Sequence, residues 1–407
     1  MTMGCRASAG LWRLLGTRVL GALALALSSV SGAGAEVPAG TSPEIPRELA
    51  LRPEVVPYEL ENAVWNLTQT NGPFLKEPEL SPKHVARRAL QFGRDTNNAF
   101  ALIWDQPKHK LYLDLNRNLD LTDDTTGVFS STNKGYSQLF ANVTLPLNTA
   151  MGLHPATLDL RLSTDQTERW VQVRLTSRTL WQTRVAVEGD AWQVAVADKL
   201  LSPEGPAAAK FLLLRPWEIR TNRVWLDSPI YGLVPFPDRL FWLGRAFHLE
   251  RRLETGGEGP AWKLELTPQQ PPLTELKLSG EFLYYALLQA SNGYTVVLRG
   301  PAGTVKVPSG LYTISSIWLK QGAAEAHWLS EKPLAVNAAA ATSLVLGGPL
   351  TNSVALDRYG RRLMLNYQLK GADGARYRLA QEDRAKPPEF IVYRGGKKVL
   401  SGKFQYG

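Results

Sequence analysis

Short side chains that carry oxygen atoms alternate along residues 114–120, and their spacing predicts a metal site. They follow the apolar residues 111–113 and stand at every second position: Asp114, Asn116, Asn118 and Asp120. A hard cation such as Ca²⁺ needs about six to eight oxygen ligands that converge from one tight turn. Four alternating ligands exceed what a turn requires, so this stretch predicts bound Ca²⁺.

The register resembles that of an EF-hand loop, with two departures. The first three of these residues fill loop positions one, three and five, and Asp120 can give its carbonyl at position seven. Leu119 stands where the sharp turn usually has Gly, and Thr125 replaces the closing Glu. Asp123 and Asp124 lie close enough to substitute, and we assign Asp124 as the fifth ligand. The alternative is a metal-free polar β-turn, because Asn and Asp are favoured where the backbone bends.

The elements around this loop are predicted to be strands. Residues 99–104 and 110–113 have the composition of two short strands joined by 105–109, so the ligands would hang from a β-hairpin. Between residues 140 and 250, short apolar stretches alternate with Gly and Pro turns, which indicates a sandwich or a partly closed barrel. Only 206–214 weakly favours a helix. The predicted fold class is mainly β, with two β-sandwich-like domains and few helices.

The first 35 residues have the pattern of a secretory signal peptide. Arginines at 6, 13 and 18 accompany the apolar run 19–30, and Ala33 and Ala35 form an Ala-x-Ala cleavage site. The apolar run is too short to span a membrane comfortably, and no later run reaches that length. The single cysteine, Cys5, would be lost on cleavage. We therefore expect a secreted or periplasmic protein without disulfides or a transmembrane segment in its mature chain.

The charge pattern excludes a nucleic-acid partner. Removing the three leader arginines lowers the formal net charge from +9 to +6, and the remaining basic residues are scattered. Nucleic-acid binding would require a basic stripe with interleaved aromatic residues. The mild positive charge is instead typical of a soluble protein with loose contacts to anionic envelope polymers.

Proline content suggests the domain boundaries. Residues 36–57 are predicted to be an extended Pro-rich arm, residues 58–266 an N-terminal β domain with the calcium-type loop 114–125, residues 267–273 a linker, and residues 274–407 a C-terminal sandwich. The run 307–314, Val-Pro-Ser-Gly-Leu-Tyr-Thr-Ile, resembles the turn and strand of transthyretin-like sandwiches. That resemblance implies an immunoglobulin-like or transthyretin-like C-terminal domain.

No catalytic residue is predicted. The five histidines are dispersed, and nucleophile-elbow, zinc-protease and phosphate-loop motifs are absent from the sequence. His248 and Glu250 would share one face of a strand, and Asp227 and Asp238 could form a carboxylate pair, but surface and turn roles explain both. We expect Trp170, Trp181 and Trp192 to pack in the core, whereas Trp217, Trp225 and Trp242 are candidates for exposure.

Four segments together resemble a group of bacterial proteins. The leader, residues 74–78 (FLKEP), the loop 113–122 (LDLNRNLDLT) and the terminus 401–407 (SGKFQYG) look like uncharacterised secreted β-rich proteins of planctomycete and verrucomicrobial type. The resemblance brings no known activity. The expected function is a non-enzymatic envelope or extracellular structural or binding protein, with glycans or envelope components as possible partners. The alternative is a carbohydrate-active or other hydrolytic enzyme with its site near residues 225–250.

Overall fold

The computed structural model describes most of the chain. The described residues are 5–8, 45–60, 62–69, 74–149, 152–164, 170–187, 189–197, 210–219, 232–254, 261–300, 303–329, 335–337, 342–360, 362–380, 387–394 and 396–404. In this part of the chain the regular structure is almost entirely β, with two single 3₁₀ turns at Thr96–Asn98 and Thr125–Gly127. The prediction of a mainly β protein with few helices is confirmed.

The strands of the first two thirds of the chain are β1 (Cys5–Ser8), β2 (Glu48–Val55), β3 (Asn62–Asn66), β4 (Thr68–Gln69), β5 (Val85–Gln91), β6 (Ala99–Asp105), β7 (Lys110–Leu113), β8 (Val128–Ser130), β9 (Ser137–Thr149), β10 (Gly152–Thr164), β11 (Val171–Ser177), β12 (Thr179–Val187), β13 (Asp190–Ala197), β14 (Phe211–Pro216), β15 (Leu233–Pro235), β16 (Arg239–Trp242), β17 (Arg245–Glu254) and β18 (Ala261–Gln269). The region weakly predicted as helix, 206–214, therefore carries strand β14 in its described part.

The remaining strands are β19 (Leu273–Ser279), β20 (Leu283–Ala290), β21 (Tyr294–Arg299), β22 (Gly303–Pro308), β23 (Leu311–Gln321), β24 (Ala324–Leu329), β25 (Ala335–Asn337), β26 (Thr342–Val345), β27 (Thr351–Tyr359), β28 (Arg362–Lys370), β29 (Arg376–Leu379), β30 (Glu389–Arg394) and β31 (Lys397–Lys403).

Two antiparallel sheets form an N-terminal sandwich between residues 62 and 177. One sheet has the order β3-β11-β10-β9 and the other the order β4-β5-β6-β7-β8. Their inner faces share one core, in which the fully buried Phe100 and Trp104 of β6 pack with Phe140 of β9 and Leu160 of β10. Such burial of large apolar side chains is the main favourable term in folding. The sandwich is therefore the scaffold that holds the loop 114–125.

A bulge in β9 reconciles its sequence with one continuous strand. Buried side chains occupy even positions before the bulge, at Gln138 and Phe140, and odd positions after it, at Val143, Leu145 and Leu147. Asn142, with φ of 55°, lies at this change of parity, and the pairing with β10 shifts there. One extra residue returns the apolar side chains to the core face.

The sandwich is inserted between two neighbouring strands of a second sheet. β2 pairs with β12, with Thr179 opposite Val55, and on its other edge β2 pairs with β18. The second half of the predicted arm 36–57 is therefore a strand inside the fold. Leu49 and Leu51 alternate into the core. Pro53 is tolerated because it lies opposite Trp181 of β12 but beyond residues 48–51, which pair with β18, so its missing N–H costs no hydrogen bond on that edge.

This second sheet curls around its own core. The order β15-β14-β13-β12-β2-β18-β17-β16 places β15 and β16 at opposite ends, yet only residues 236–238 connect them. All eight strands contribute to a common core that includes Trp192 and Trp242, whose rings meet edge to face with centroids 5.5 Å apart. The sheet must therefore bend until its two ends approach each other.

Strand β16 continues the sheet into the C-terminal sandwich. It pairs in parallel with β21, and the order then runs β21-β20-β23-β24-β29-β28-β27. The small sheet β22-β19-β26 packs against it around Leu276, Val296 and Ile314. Of the predicted linker 267–273, residues up to Gln269 belong to β18 and residues from Leu273 belong to β19. Only residues 270–272 of the predicted linker lie between strands, and the hydrogen bonds between β16 and β21 connect the two parts of the fold independently of this segment.

A polar cluster also joins the curled sheet to the C-terminal sandwich. The Arg299 guanidinium lies 3.7 Å from the ring centroid of Tyr284 and pairs with Asp190 at 3.0 Å and with Glu218 at 3.3 Å. Tyr284 donates its hydroxyl hydrogen bond to Glu218. Tyr284 and Arg299 belong to the C-terminal sandwich, whereas Asp190 and Glu218 belong to the curled sheet and its loops.

The predicted leader is described only at β1, which pairs with β30; the rest of residues 1–35 lies outside the described residues. Within the described part of the chain, no helix has the length and apolar character needed to cross a membrane.

Candidate metal centre

The predicted hairpin 99–113 is present as the antiparallel pair of β6 and β7, and the loop 114–125 follows it and connects β7 to the adjacent strand β8. Strands β7 and β8 are paired antiparallel, and the Asp114 backbone N–H still donates to Ala101 of β6 at 2.9 Å. At the far end, the Cα of Gly127 lies so close to β7 that a Cβ there would come within 2.3 Å of the Leu113 carbonyl oxygen. Both ends of the loop are therefore held at the same edge of the sandwich.

The first aspartate organises the turn. One carboxylate oxygen of Asp114 accepts a hydrogen bond from the Asn118 N–H at 3.1 Å, and the other accepts from the Leu119 N–H at 3.0 Å. Leu119 has φ of 62°, so the backbone makes the left-handed turn for which Gly is usual although the residue is leucine. The Leu119 departure therefore does not prevent the EF-like turn.

The two asparagines complete the turn with both ends of their amide groups. The side-chain oxygen of Asn116 accepts from the Asn118 N–H at 3.0 Å, and that of Asn118 accepts from the Asp120 N–H at 2.7 Å. Their amide nitrogens donate to the two carboxylate oxygens of Asp123, at 3.1 Å from Asn116 and 2.7 Å from Asn118. Asp123 thus lies over the same turn.

Asp114 and Asp124 form a nearly buried pair of carboxylates. Asp114 is 1% exposed and Asp124 is 7% exposed, and Asp124 accepts a hydrogen bond from the Leu115 N–H at 3.2 Å. Burial raises the pKa of Asp124, and the negative charges of Asp114 and Asp123 raise it further. Among the ion pairs formed by the described residues, none involves either carboxylate. Two adjacent buried carboxylates are costly unless a cation or a proton compensates them.

Asp120 has a different partner. Its carboxylate binds the Lys76 ammonium at 2.6 Å, and this hydrogen bond and the Thr122 hydroxyl lower the pKa of Asp120 to about 2. Leu121 N–H donates to the Lys76 carbonyl at 3.1 Å, so the same contact joins the two backbones. The side chain of Asp120 is therefore turned away from the buried pair, which leaves only its backbone carbonyl for position seven.

Arg117 anchors the loop to the opposite sheet. Its guanidinium donates to the Pro146 carbonyl of β9 at 2.8 Å and lies 4.7 Å from the centroid of the Phe100 ring. The side chain therefore crosses the end of the sandwich and neutralises none of the loop carboxylates directly. Tertiary contacts as well as local turns fix the loop.

The structure brings together four of the five predicted ligands. Asp114, Asn116, Asn118 and Asp124 surround one turn, and Asp120 can contribute only through its backbone. Sequence reasoning named Asp123 as a possible substitute for the closing Glu but did not include it among the five ligands, and it did not predict the contact between Lys76 and Asp120. Within the described residues, no group of three or more His, Cys, Asp or Glu side chains is arranged to hold a metal; the predicted site depends on asparagine and backbone oxygens in addition.

The alternative site near residues 225–250 is only partly described. His248 Nε2 lies 3.2 Å from a Glu250 carboxylate oxygen, so the pair shares a strand face as expected, but it is exposed on β17. Trp225 and Asp227 lie outside the described residues. The hydrolytic function therefore stays a prediction.

The tryptophans differ from expectation at two positions. Trp192 is fully buried, but Trp170 is 42% exposed because it precedes β11 at the end of the sandwich. Trp242, a candidate for exposure, is fully buried because alternation along β16 directs it into the curled-sheet core. Trp217 is 39% exposed, with the Arg184 guanidinium 5.1 Å from its ring centroid.

Comparison with known protein families, with curated proteins and with solved structures finds no match to this chain.

Proposed function

We propose that this chain is an exported, non-enzymatic structural or binding protein of the bacterial envelope or extracellular space, in which Ca²⁺ rigidifies the loop 114–125. The resemblance to secreted β-rich bacterial proteins and the signal-peptide pattern support export. The turn geometry supports the cation, and the partners that fit such a surface protein are glycans or other envelope components.

The buried pair Asp114 and Asp124 is the observation that carries the metal proposal. In a metal-free turn, two adjacent buried carboxylates whose only partners are N–H groups would be destabilising, because removing each carboxylate from water costs free energy. A divalent cation between them would attract both carboxylates and outweigh their mutual repulsion. Asn116 and Asn118 would supply neutral oxygens from the same turn, and Asp123 would be available to close the site in place of the missing Glu.

Calcium should raise the melting temperature of the protein by several degrees. A ligand that binds only the folded state at one hundred times its dissociation constant adds about 2.7 kcal/mol of stability. Extracellular calcium modules commonly bind at about 10⁻⁴ to 10⁻³ M, so the titration should extend well into the millimolar range. The measurement is calorimetric melting in EDTA and in increasing free Ca²⁺. Identical melting curves in both conditions would show that the loop is only a polar turn.

Variants of the loop distinguish the effect of calcium binding on stability from the effect of the hydrogen bonds in the turn. Asp124→Asn keeps the acceptor for Leu115 N–H but removes one repelling charge, so it should melt at or above the wild-type temperature in EDTA and lose the calcium shift. Asp114→Ala should also lose the calcium shift, but it removes the carboxylate that accepts from the Asn118 and Leu119 N–H groups and so should weaken the turn as well. Asp120→Asn is the matched control, because it breaks the Lys76 pair but retains the backbone carbonyl and should keep the shift. Thr125→Glu should tighten binding.

Export should produce a mature N-terminus at Glu36. Signal peptidase requires small residues at Ala33 and Ala35, so Ala35→Leu should block processing. Expression of the full chain in a bacterium, followed by N-terminal sequencing of material outside the cytoplasm, measures the cleavage site. Retention of residues 1–35 on soluble cytoplasmic wild-type protein would contradict the proposal.

A further inference from the structure

A polar pocket lies where the curled sheet meets the C-terminal sandwich. Its volume is about 470 Å³. Its lining comes from β16, from the end of β18 and the segment that follows it, from the start of β21 and the turn before it, and from the turn before β23: Arg239, Gln269, Gln270, Pro271, Pro272, Asn292, Tyr294 and Ser309. We propose that this pocket binds a sugar that carries a carboxylate, of the kind a uronic acid presents.

The walls of the pocket are held in place by their own hydrogen bonds. The Asn292 amide nitrogen donates to the Ser309 carbonyl at 2.7 Å, and the Ser309 N–H donates to the Pro272 carbonyl at 3.0 Å. Tyr294 donates from its hydroxyl to the side-chain oxygen of Gln269 at 3.1 Å. The pocket is therefore preformed, and ordering it on binding would cost little.

These bonds leave an excess of donors facing the pocket. Because the side-chain oxygen of Gln269 is already an acceptor for Tyr294, its amide nitrogen remains to donate to a ligand. Arg239 adds the donors of a guanidinium, which lies 5.6 Å from the Tyr294 ring centroid. Arg239 faces Tyr294 across β16 and β21, so the two strands set its direction. The ligand must therefore offer acceptors.

The charge of the lining selects an anion. None of the eight lining residues is acidic, and none of the ion pairs formed among the described residues involves Arg239. On β17 the residue opposite Arg239 is His248, which contacts Glu250 at 3.2 Å. A guanidinium on a rigid strand presents a planar fork that matches a carboxylate with two hydrogen bonds.

The remainder of the lining fits a hydroxylated ring. Gln269 and Gln270 can each pair with sugar hydroxyls, and Pro271 and Pro272 offer apolar surface to the C–H groups of a pyranose. A volume of about 470 Å³ is in the range of pockets that hold small organic ligands. The lining contains no residue of the loop 114–125, so this inference does not depend on calcium.

Isothermal titration calorimetry of the full chain with D-glucuronate tests the proposal. D-Glucose lacks the carboxylate and acetate lacks the ring, so both should bind much more weakly than glucuronate. Arg239→Gln should weaken glucuronate binding at least tenfold, and Gln270→Ala, at an exposed position, should weaken it severalfold. Arg161→Gln, an exposed arginine of the N-terminal sandwich, is the matched control and should leave binding unchanged.

Three results would overturn the proposal: no binding of glucuronate at millimolar concentration, equal binding of glucuronate and glucose, or equal binding of glucuronate and acetate. Unchanged affinity in folded Arg239→Gln would also overturn it. If Arg239→Gln does not fold, the comparison of the three ligands on the wild type and the Gln270→Ala variant decides.

Discussion

Trp242→Ala and Phe241→Ala are each expected to destabilise the protein by about 3–5 kcal/mol, and to shift the same unfolding transition. These neighbours on β16 point in opposite directions. Trp242 is fully buried in the curled-sheet core, and Phe241, 1% exposed, is buried in the core of the C-terminal sandwich. Because β16 is paired with β17 on one edge and β21 on the other, loss of either core should weaken both.

Differential scanning calorimetry of the two variants measures this coupling. Trp170→Ala is the matched control, because its side chain is 42% exposed and its removal should change stability by less than about 1 kcal/mol. A protein in which residues 267–273 separate two independent domains would behave differently. Each variant would then move only one of two transitions, and protease would cut in that segment to leave two resistant fragments.

Stability should fall as the pH decreases from 7 to 5, in large part because of His327. This residue is 3% exposed on β24 between Trp318 of β23 and Arg378 of β29, and burial, with the charge of Arg378, lowers the pKa of His327 to about 4. The unfolded chain binds a proton at about pH 6.5, so between these values it holds more protons than the folded state. Stability contributed by the neutral ring is complete above about pH 6.5 and is lost as the pH falls.

Urea unfolding at pH 7 and pH 5 gives the magnitude. The pKa difference predicts a loss of about 2 kcal/mol over this interval from His327 alone, approaching about 3 kcal/mol below pH 4. His327→Phe keeps an aromatic ring beside Trp318 and should lack this component, whereas His84→Gln, at an exposed position, should retain it. An equal loss in the wild type and His327→Phe would show that other groups cause the pH dependence.

Local pattern predicted the strands well because alternation is a local property. The hairpin around 105–109 and the strands β9 to β13 follow from period-two burial, whereas the weak helix prediction for 206–214 was wrong in its described part, which carries strand β14. Which strands pair was beyond the sequence. The two strands that pair with β2 lie more than one hundred residues later in the chain. Because the burial of β2 depends on these partners, the prolines in 36–57 led to the prediction of an extended arm instead of a strand. Trp242 and Trp170 show the same limit, because burial depends on the neighbouring sheet.

The candidate metal site also contains features that local sequence predicts and features that depend on tertiary contacts. Residues that act within one turn, Asp114, Asn116 and Asn118, follow from their spacing, since the carboxylate and amide oxygens accept from backbone groups only two to five positions away. The orientation of Asp120 could not be predicted, because its partner Lys76 is 44 residues earlier in the chain. Spacing therefore identifies the turn, whereas tertiary structure decides which side chains remain available to a cation.

The insertion of the N-terminal sandwich between β2 and β12 has a consequence for synthesis of the chain. When β2 leaves the ribosome, neither of its partners exists. Its edge towards β12 stays unpaired until residue 182 has been made, and its edge towards β18 stays unpaired until residue 265 has been made. The sandwich between them is complete by residue 177, and there β3 pairs with β11, which brings Asn62 next to Thr176. If the sandwich folds first, it draws Val55 towards Thr179 and replaces a long loop closure with a short one. The same order shortens the time for which a bare strand edge can pair with another chain.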